Sequence, residues 1–232
     1  DIARKFAGGR ARLDQQQNLV YRWVRDESLF DMYQALGAIG FSAAGRETIR
    51  DVVTCPGTDS CKLGITSSMG LNKALGETLD GMGDLDPLVE KMHIKASGCP
   101  NSCGQHHIAS IGFHGAVVKG PGGQAPAYEL FLGGRSNEAG GTKIGERVKA
   151  RIPAKRAPEA LKAVLDTYLA ERNDGEEFAD FIDRFGVAKF EEEFGKLKAE
   201  LGPLDRDNIQ TYMDWGKTVV YKLERGEGEG AV

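Results

Sequence analysis

The sequence predicts an α+β fold: a β-α-β half-module over residues 1–54, a mixed α/β body over 55–186, and a helical extension with a tail over 187–232. Three observations lead there. Short strand-like runs, such as Leu19-Val-Tyr-Arg-Trp-Val24 and Val52-Val53, punctuate the chain. Between and after them lie stretches whose apolar residues recur at helical spacing. The four cysteines fall as two close pairs, each in a loop marked by glycine and proline.

Each element follows from its pattern. Residues 10–24 carry Leu13, Leu19, Val20, Trp23 and Val24 and are expected to form a strand. Residues 27–39 place Leu29, Phe30, Tyr33, Leu36 and Ile39 on one helical face and stop at Gly40. With Val52 and Val53 as a second strand, this closes the half-module just before Cys55. Residues 62–82, rich in Leu and Ala, read as a helix leaving the first cysteine loop. Residues 92–96 read as a strand delivering Cys99. Residues 108–119 and 127–133 are two more strands around the Gly120-Pro-Gly-Gly-Gln turn. Residues 161–169, 178–185 and 190–201 are amphipathic helices, and Gly226-Glu-Gly-Glu-Gly230 reads as a flexible acidic end.

Composition narrows the function. At 232 residues and 41% hydrophobic, the chain can bury one good-sized core or two smaller ones. No apolar run approaches the roughly eighteen residues that span a membrane, and nothing resembles a secretory signal, so a cytoplasmic protein is expected. A net charge of −4 offers no basic field for nucleic acid. It also offers no obvious docking patch for an acidic electron carrier.

Five residues separate Cys55 from Cys61, three separate Cys99 from Cys103, and 37 lie between the pairs. Four thiolates on two tight loops suit an iron–sulfur cluster or zinc, because soft sulfur selects such metals. Structural zinc loops usually leave two to four residues between cysteines, and the five-residue gap is outside that habit. Two disulfides would also use an even count, but a chain of this length needs no staples. Unrelated buried cysteines would not all cluster in Gly/Pro loops.

The motif Cys55-x5-Cys61 followed by Gly98-Cys-Pro-Asn-x-Cys103-Gly resembles the signature of the sirohaem-containing sulfite and nitrite reductases. Arg10-Ala-Arg-Leu-Asp-Gln-Gln-Gln-Asn-Leu-Val20 is similar to the Gln-Asn strand that precedes the first cysteine in that family. Ile108–Gly115 and Tyr128–Gly134 resemble the strands that follow the second pair. Asp14 departs from the family, which commonly has Thr there.

The resemblance implies a ferredoxin-like half-module followed by a sirohaem/[4Fe–4S]-binding domain. It implies that Cys55, Cys61, Cys99 and Cys103 hold the [4Fe–4S] cluster, and that Cys103 is also the axial ligand to sirohaem iron. Arg12, Gln17 and Asn18 become candidates for contacts to sirohaem carboxylates, with Arg10 ranked below them. As side chains of one plain strand they would be a solvated polar face, and neighbours such as Gln17 and Asn18 would point to opposite sides. Asn101 is either a donor to cluster or cofactor, or a residue that permits a tight turn.

The implied reaction is six-electron reduction of sulfite to sulfide or nitrite to ammonia, fed by a donor such as ferredoxin or a flavoprotein. The Gly-Gln-His-His run after Cys103 tilts the reading to sulfite. Substrate-gripping Arg and Lys are expected outside this chain. Asp1-Ile-Ala-Arg-Lys-Phe reads as the middle of a helix, so the chain is expected to be the C-terminal half of a larger enzyme. A non-catalytic iron–sulfur or zinc module for relay or sensing is the alternative. His93, His106 and His107 near the second pair invite a proton-delivery role, but such histidines more often serve structure. Lys95 reads as a solvated strand lysine.

Overall fold

A computed structural model describes residues 1–136, 141–224 and 226, so residues 227–230 of the acidic end lie outside the described residues. The chain divides into two compact units, Asp1–Arg46 and Glu47–Val232. The division falls at 46/47 rather than at 54, and residues 187–224 belong with the second unit.

In the first unit, helix α1 (Ile2–Phe6) is followed by strands β1 (Ala11–Leu13) and β2 (Leu19–Tyr21), then by helix α2 (Leu29–Gly37). The expected single strand over 10–24 is a hairpin, with Arg12 opposite Val20. Its turn is built by Asp14. One Asp14 carboxylate oxygen accepts the N–H groups of Gln16 (3.0 Å) and Asn18 (2.8 Å), and the other accepts from the Asn18 amide (3.1 Å). An Asx carboxylate that captures the amides two and four residues on offers the backbone a turn in place of a ladder. The β-α-β half-module is therefore not formed, because Val53 and Thr54 pair elsewhere.

In the second unit β3 (Val53–Thr54) leads through the first cysteine loop to α3 (Ser68–Gly81), the short α4 (Pro87–Glu90) and β4 (Ile94–Ser97). Next come β5 (Ile111–Gly120), β6 (Gly123–Leu132) and β7 (Glu146–Pro153). Helices α5 (Ala157–Glu171), α6 (Phe178–Phe185) and α7 (Ala188–Ala199) follow. The sheet runs β3-β4-β5-β6-β7, with β3, β4 and β5 mutually parallel and the rest antiparallel. Mixed helices and sheet give the expected α+β class.

Strand β7 was not anticipated, because Arg147, Lys149 and Arg151 dominate its sequence, yet Val148 and Ile152 are fully buried. Helix α3 starts later than expected, since residues 62–67 complete a loop and Ser67 caps the helix by accepting the Gly70 N–H at 3.1 Å. The core packs Leu71, Leu75 and Leu79 of α3 and Leu161, Val164, Leu165 and Tyr168 of α5 with Ile111, Phe113, Leu130 and Leu132 of the sheet. Strand alternation leaves His114, Glu129 and Phe131 sharing the other face. Among the described residues no helix is long and apolar enough to cross a membrane.

Candidate metal centre

Adjacent parallel strands put the two cysteine loops side by side. Val53 pairs with Lys95 and Thr54 with Ala96, and each strand then runs out into its cysteine loop at the same end of the sheet. Cys55 donates its N–H to Ala96 O at 3.2 Å, and Gly98 donates its N–H to Cys55 Sγ at 3.1 Å. Ile65 and Thr66 both donate to Gly98 O, at 2.7 and 3.0 Å. The loops are thus stitched together through backbone.

Glycine makes that seam possible. A Cβ on Gly98 would sit 2.5 Å from Gly57 Cα and 2.6 Å from Thr66 O, so backbone meets backbone with no room for a side chain. Gly57 has φ +56°, and a Cβ there would lie 2.6 Å from the Ser68 amide nitrogen. The glycines flanking the cysteines therefore do more than terminate strands.

Cys99 is buried, Cys55 and Cys61 are partly buried, and Cys103 is exposed. Burial raises the Cys99 thiol above its ordinary pKa. The Asn101 N–H pulls it back, while the charges of Cys55, Cys103 and Cys61 push it up further. A cationic centre beside Cys99 would favour its thiolate against that burial. Among the described residues, no three of His, Cys, Asp and Glu are gathered tightly enough to grip one metal ion. The Thr58 hydroxyl, in the first loop, is buried without a hydrogen-bond partner among the described residues. Such an orphan donor fits a loop that faces sulfur.

Each loop is braced differently. Ser68 Oγ donates to Cys55 O at 2.6 Å and lies 3.4 Å from Cys55 Sγ. The segment after α7 returns to this loop. Asp214 Oδ2 accepts the Ser67 N–H (2.7 Å), Lys217 donates to Asp59 (3.0 Å), and the Tyr221 hydroxyl donates to Ile65 O (2.9 Å). A cavity of about 880 Å³ lies between that segment and the loop, with Cys61, Lys62 and Tyr221 in its wall. Around the second loop, Ser97 Oγ accepts the Gly104 N–H at 3.1 Å and lies 3.0 Å from His106 Nδ1. Ser102 Oγ lies 2.8 Å from His107 Nδ1.

On the two loops joined by the glycine seam, all four cysteines lie in the second unit. Arg12, Gln17 and Asn18 are carried by the hairpin of the first. Arg12 is exposed on β1, Gln17 has φ +67° in the turn, and Asn18 is tied to Asp14. Asn101 is exposed in the second loop. Lys95, expected in solvent, is buried and donates to Gln105 Oε1 at 3.1 Å. The sequence reading missed Ser97, Ser102, Asp214 and Glu129. Glu129, set in the apolar run Ala127-Tyr-Glu-Leu-Phe-Leu132, was the legible one of these, because a carboxylate there demands a partner. It has three. His114 Nε2 lies 3.4 Å away, and Arg147 and Arg151 converge on it where a bulge at Glu129/Leu130 shifts the β6–β7 register.

Comparison with known proteins agrees with this geometry. Residues 45–201 match the family model described as "Nitrite and sulphite reductase 4Fe-4S domain". The chain is similar to the sulfite reductase [NADPH] hemoprotein beta-component of Geobacillus thermodenitrificans, 29% identical over 188 residues, covering 80% of this chain and 31% of that protein. It is also similar to the assimilatory ferredoxin-dependent nitrite reductase of Haloferax mediterranei, 25% identical over 186 residues, covering 80% of this chain and 31% of that protein. Among solved structures, the Mycobacterium tuberculosis NirA protein matches with a TM-score of 0.63 at 25% identity, over 75% of this chain and 32% of that one. The chain thus spans about a third of the length of these relatives. It belongs to the nitrite and sulphite reductase 4Fe–4S domain family.

Proposed function

From that membership we propose that this chain is the cluster-bearing portion of a sirohaem-dependent reductase that takes sulfite to sulfide or nitrite to ammonia, with sulfite favoured. The family's cofactors are a [4Fe–4S] cluster and sirohaem. When bound, they supply electron storage and a site on iron where the anion's S or N atom is reduced. The observation that carries the reading is the glycine seam that holds two Cys-bearing loops side by side.

In this reading Cys55, Cys61, Cys99 and Cys103 are the cluster ligands, and Cys103 is shared with sirohaem iron. Cys103 suits the shared role because it alone of the four is exposed. The Asn101 backbone N–H stabilises negative charge on Cys99, so Asn101 acts through its main chain as well as by turning the loop. Arg12, Gln17 and Asn18 are assigned to sirohaem carboxylates. Support is strongest for Arg12, whose guanidinium suits bidentate carboxylate binding and whose side chain is exposed. Asn18 already spends its amide on Asp14.

The electron donor is a ferredoxin or a flavoprotein, and the Arg and Lys residues that grip the anion belong to a preceding half of the same enzyme. A visible spectrum of the purified full-length enzyme tests the cofactor set: a Soret band with a separate red band is expected, and a broad brown shoulder alone would favour a relay module. Replacing Cys103→Ser should remove the coupling between the two centres, and a coupled spectrum in that variant would assign the bridge to another residue. Steady-state rates on both anions decide the substrate, a kcat/KM clearly higher for nitrite reversing the preference.

A further inference from the structure

Cys103 sits in a backbone that resists its own shape. Ser102 has φ +62° and Gln105 φ +59°, two side-chain-bearing residues in the left-handed region within four positions. Such conformations persist only where the surroundings over-determine them. The residue on each side of Cys103 is held. Ser102 is tied through Oγ to His107 Nδ1 (2.8 Å), and its carbonyl accepts the Gln105 N–H (2.8 Å). Gly104 donates its N–H to Ser97 Oγ (3.1 Å), which lies 3.0 Å from His106 Nδ1.

Two imidazoles therefore brace the loop through two serines, and the imidazoles are themselves anchored. Their ring centroids lie 4.1 Å apart, and Phe131 of β6 is 5.1 Å from His106 and 4.6 Å from His107. His114 of β5 lies 5.1 Å from His106. His106 is fully buried. A Cβ on Gly112 would lie 1.9 Å from His106 O, so the sheet backbone closes directly against this segment. Burial, aided by the neighbouring histidines, lowers the pKa of both imidazoles. The His-His pair is thus a structural device aimed at one residue.

Building on the reading of Cys103 as the shared ligand, we propose that His106 and His107 are positioning residues that act through Ser97 and Ser102 to set where the Cys103 thiolate points. His107 contributes the hydrogen bond that stabilises the left-handed Ser102.

The test uses the cofactor-loaded full-length enzyme with two readouts other than turnover: the spectroscopic coupling between the two centres, and the rate of iron loss to a chelator. His107→Leu, which keeps bulk and removes the hydrogen bond, should weaken the coupling and speed iron loss about ten-fold, the low end of what removing an outer partner costs a metal site. Ser102→Ala should reproduce both effects. His107→Asn should restore both, and so should Ser102→Gly in the His107→Leu background, since glycine adopts φ +62° unaided. Coupling and iron loss unchanged in Ser102→Ala would overturn the proposal, as would equal defects in His107→Leu and His107→Asn. If His107→Leu fails to assemble, the two Ser102 variants still decide. The underlying reading fails separately, through a coupled spectrum in Cys103→Ser.

Discussion

The two cysteine loops present the same kind of thiol by opposite means. The first is closed from far away: Asp214 reaches Ser67 across 147 residues, Tyr221 reaches Ile65 across 156, and Lys217 reaches Asp59 across 158. The second is braced by its own neighbourhood, with Ser97 and Gly104 seven residues apart, Ser97 and His106 nine, and Ser102 and His107 five. The side-chain hydrogen bonds of the second loop are local, although its histidines also pack on Phe131 and His114 of the sheet. A remotely closed loop reaches its final geometry only after the chain beyond α7 has packed. The comparison teaches that two loops joined at one seam need not share stability, so the loops should fail separately except where they touch.

The largest effect should come from that seam. Gly98→Ala forces a Cβ into the Gly57 and Thr66 backbones, and neither can swing aside as a side chain would. We expect loss of the bound cluster altogether, read as iron content per chain. Retention of four irons would show that the seam is softer than its distances imply.

Acid should break the neighbourhood of the second loop next. The His106 pKa falls from its ordinary 6.5 to about 3, chiefly by burial. The unfolded chain therefore takes up that proton first, and stability is full above pH 6.5 and falls as pH drops toward 3. The integrated loss is about 4 kcal/mol. Glu129 adds a second phase. Burial pushes its pKa up, but hydrogen bonds from His114, Arg151 and Arg147 together outweigh that and bring it from 4.5 to about 2. Its contribution is full above pH 4.5 and lost toward 2, on the order of 3 kcal/mol. Denaturant midpoints measured across pH 7 to 3 should fall throughout, and His106→Asn should flatten the upper part while leaving the lower. A flat wild-type profile between pH 6.5 and 5 would refute the assignment to His106.

The first loop should respond to a remote substitution. Asp214 is buried and accepts the N–H groups of Ser67 and Trp215 at 2.7 and 2.8 Å, so Asp214→Ala leaves two buried donors unmet at a cost of about 2 kcal/mol. Amide hydrogen exchange should quicken over residues 55–68 and stay unchanged over 97–107. Equal quickening of both would erase the distinction between the loops. The smallest effect belongs to Lys217→Ala, which removes a partly exposed ion pair with Asp59 and should cost under about 1 kcal/mol.

Much of the site was legible along the chain. Cysteine type and spacing specify soft-metal chemistry, and the Gly/Pro flanks mark loops able to approach a cofactor closely. Residues 178–185 were read with the bounds of α6, because the apolar face of Phe178, Phe181, Ile182 and Phe185 repeats at helical spacing. The hairpin at Asp14 was hidden by a different rule, since its turn depends on one carboxylate capturing two amides and not on glycine or proline. Strand β7 was hidden by its arginines, whose partner Glu129 lies on another strand.

The sequence by itself determined the two paired-cysteine loops, the rhythm of most helices and strands, and the glycines that flank those loops. Those are properties of single residues and of periodicities, and they need no knowledge of distant neighbours. Only the tertiary structure decided that β3 joins β4, that Asp214 closes the first loop, and that two histidines brace the second. Such pairings arise because each buried polar group must find a partner wherever the packed core brings one, and that partner's place in the chain is not written in local pattern.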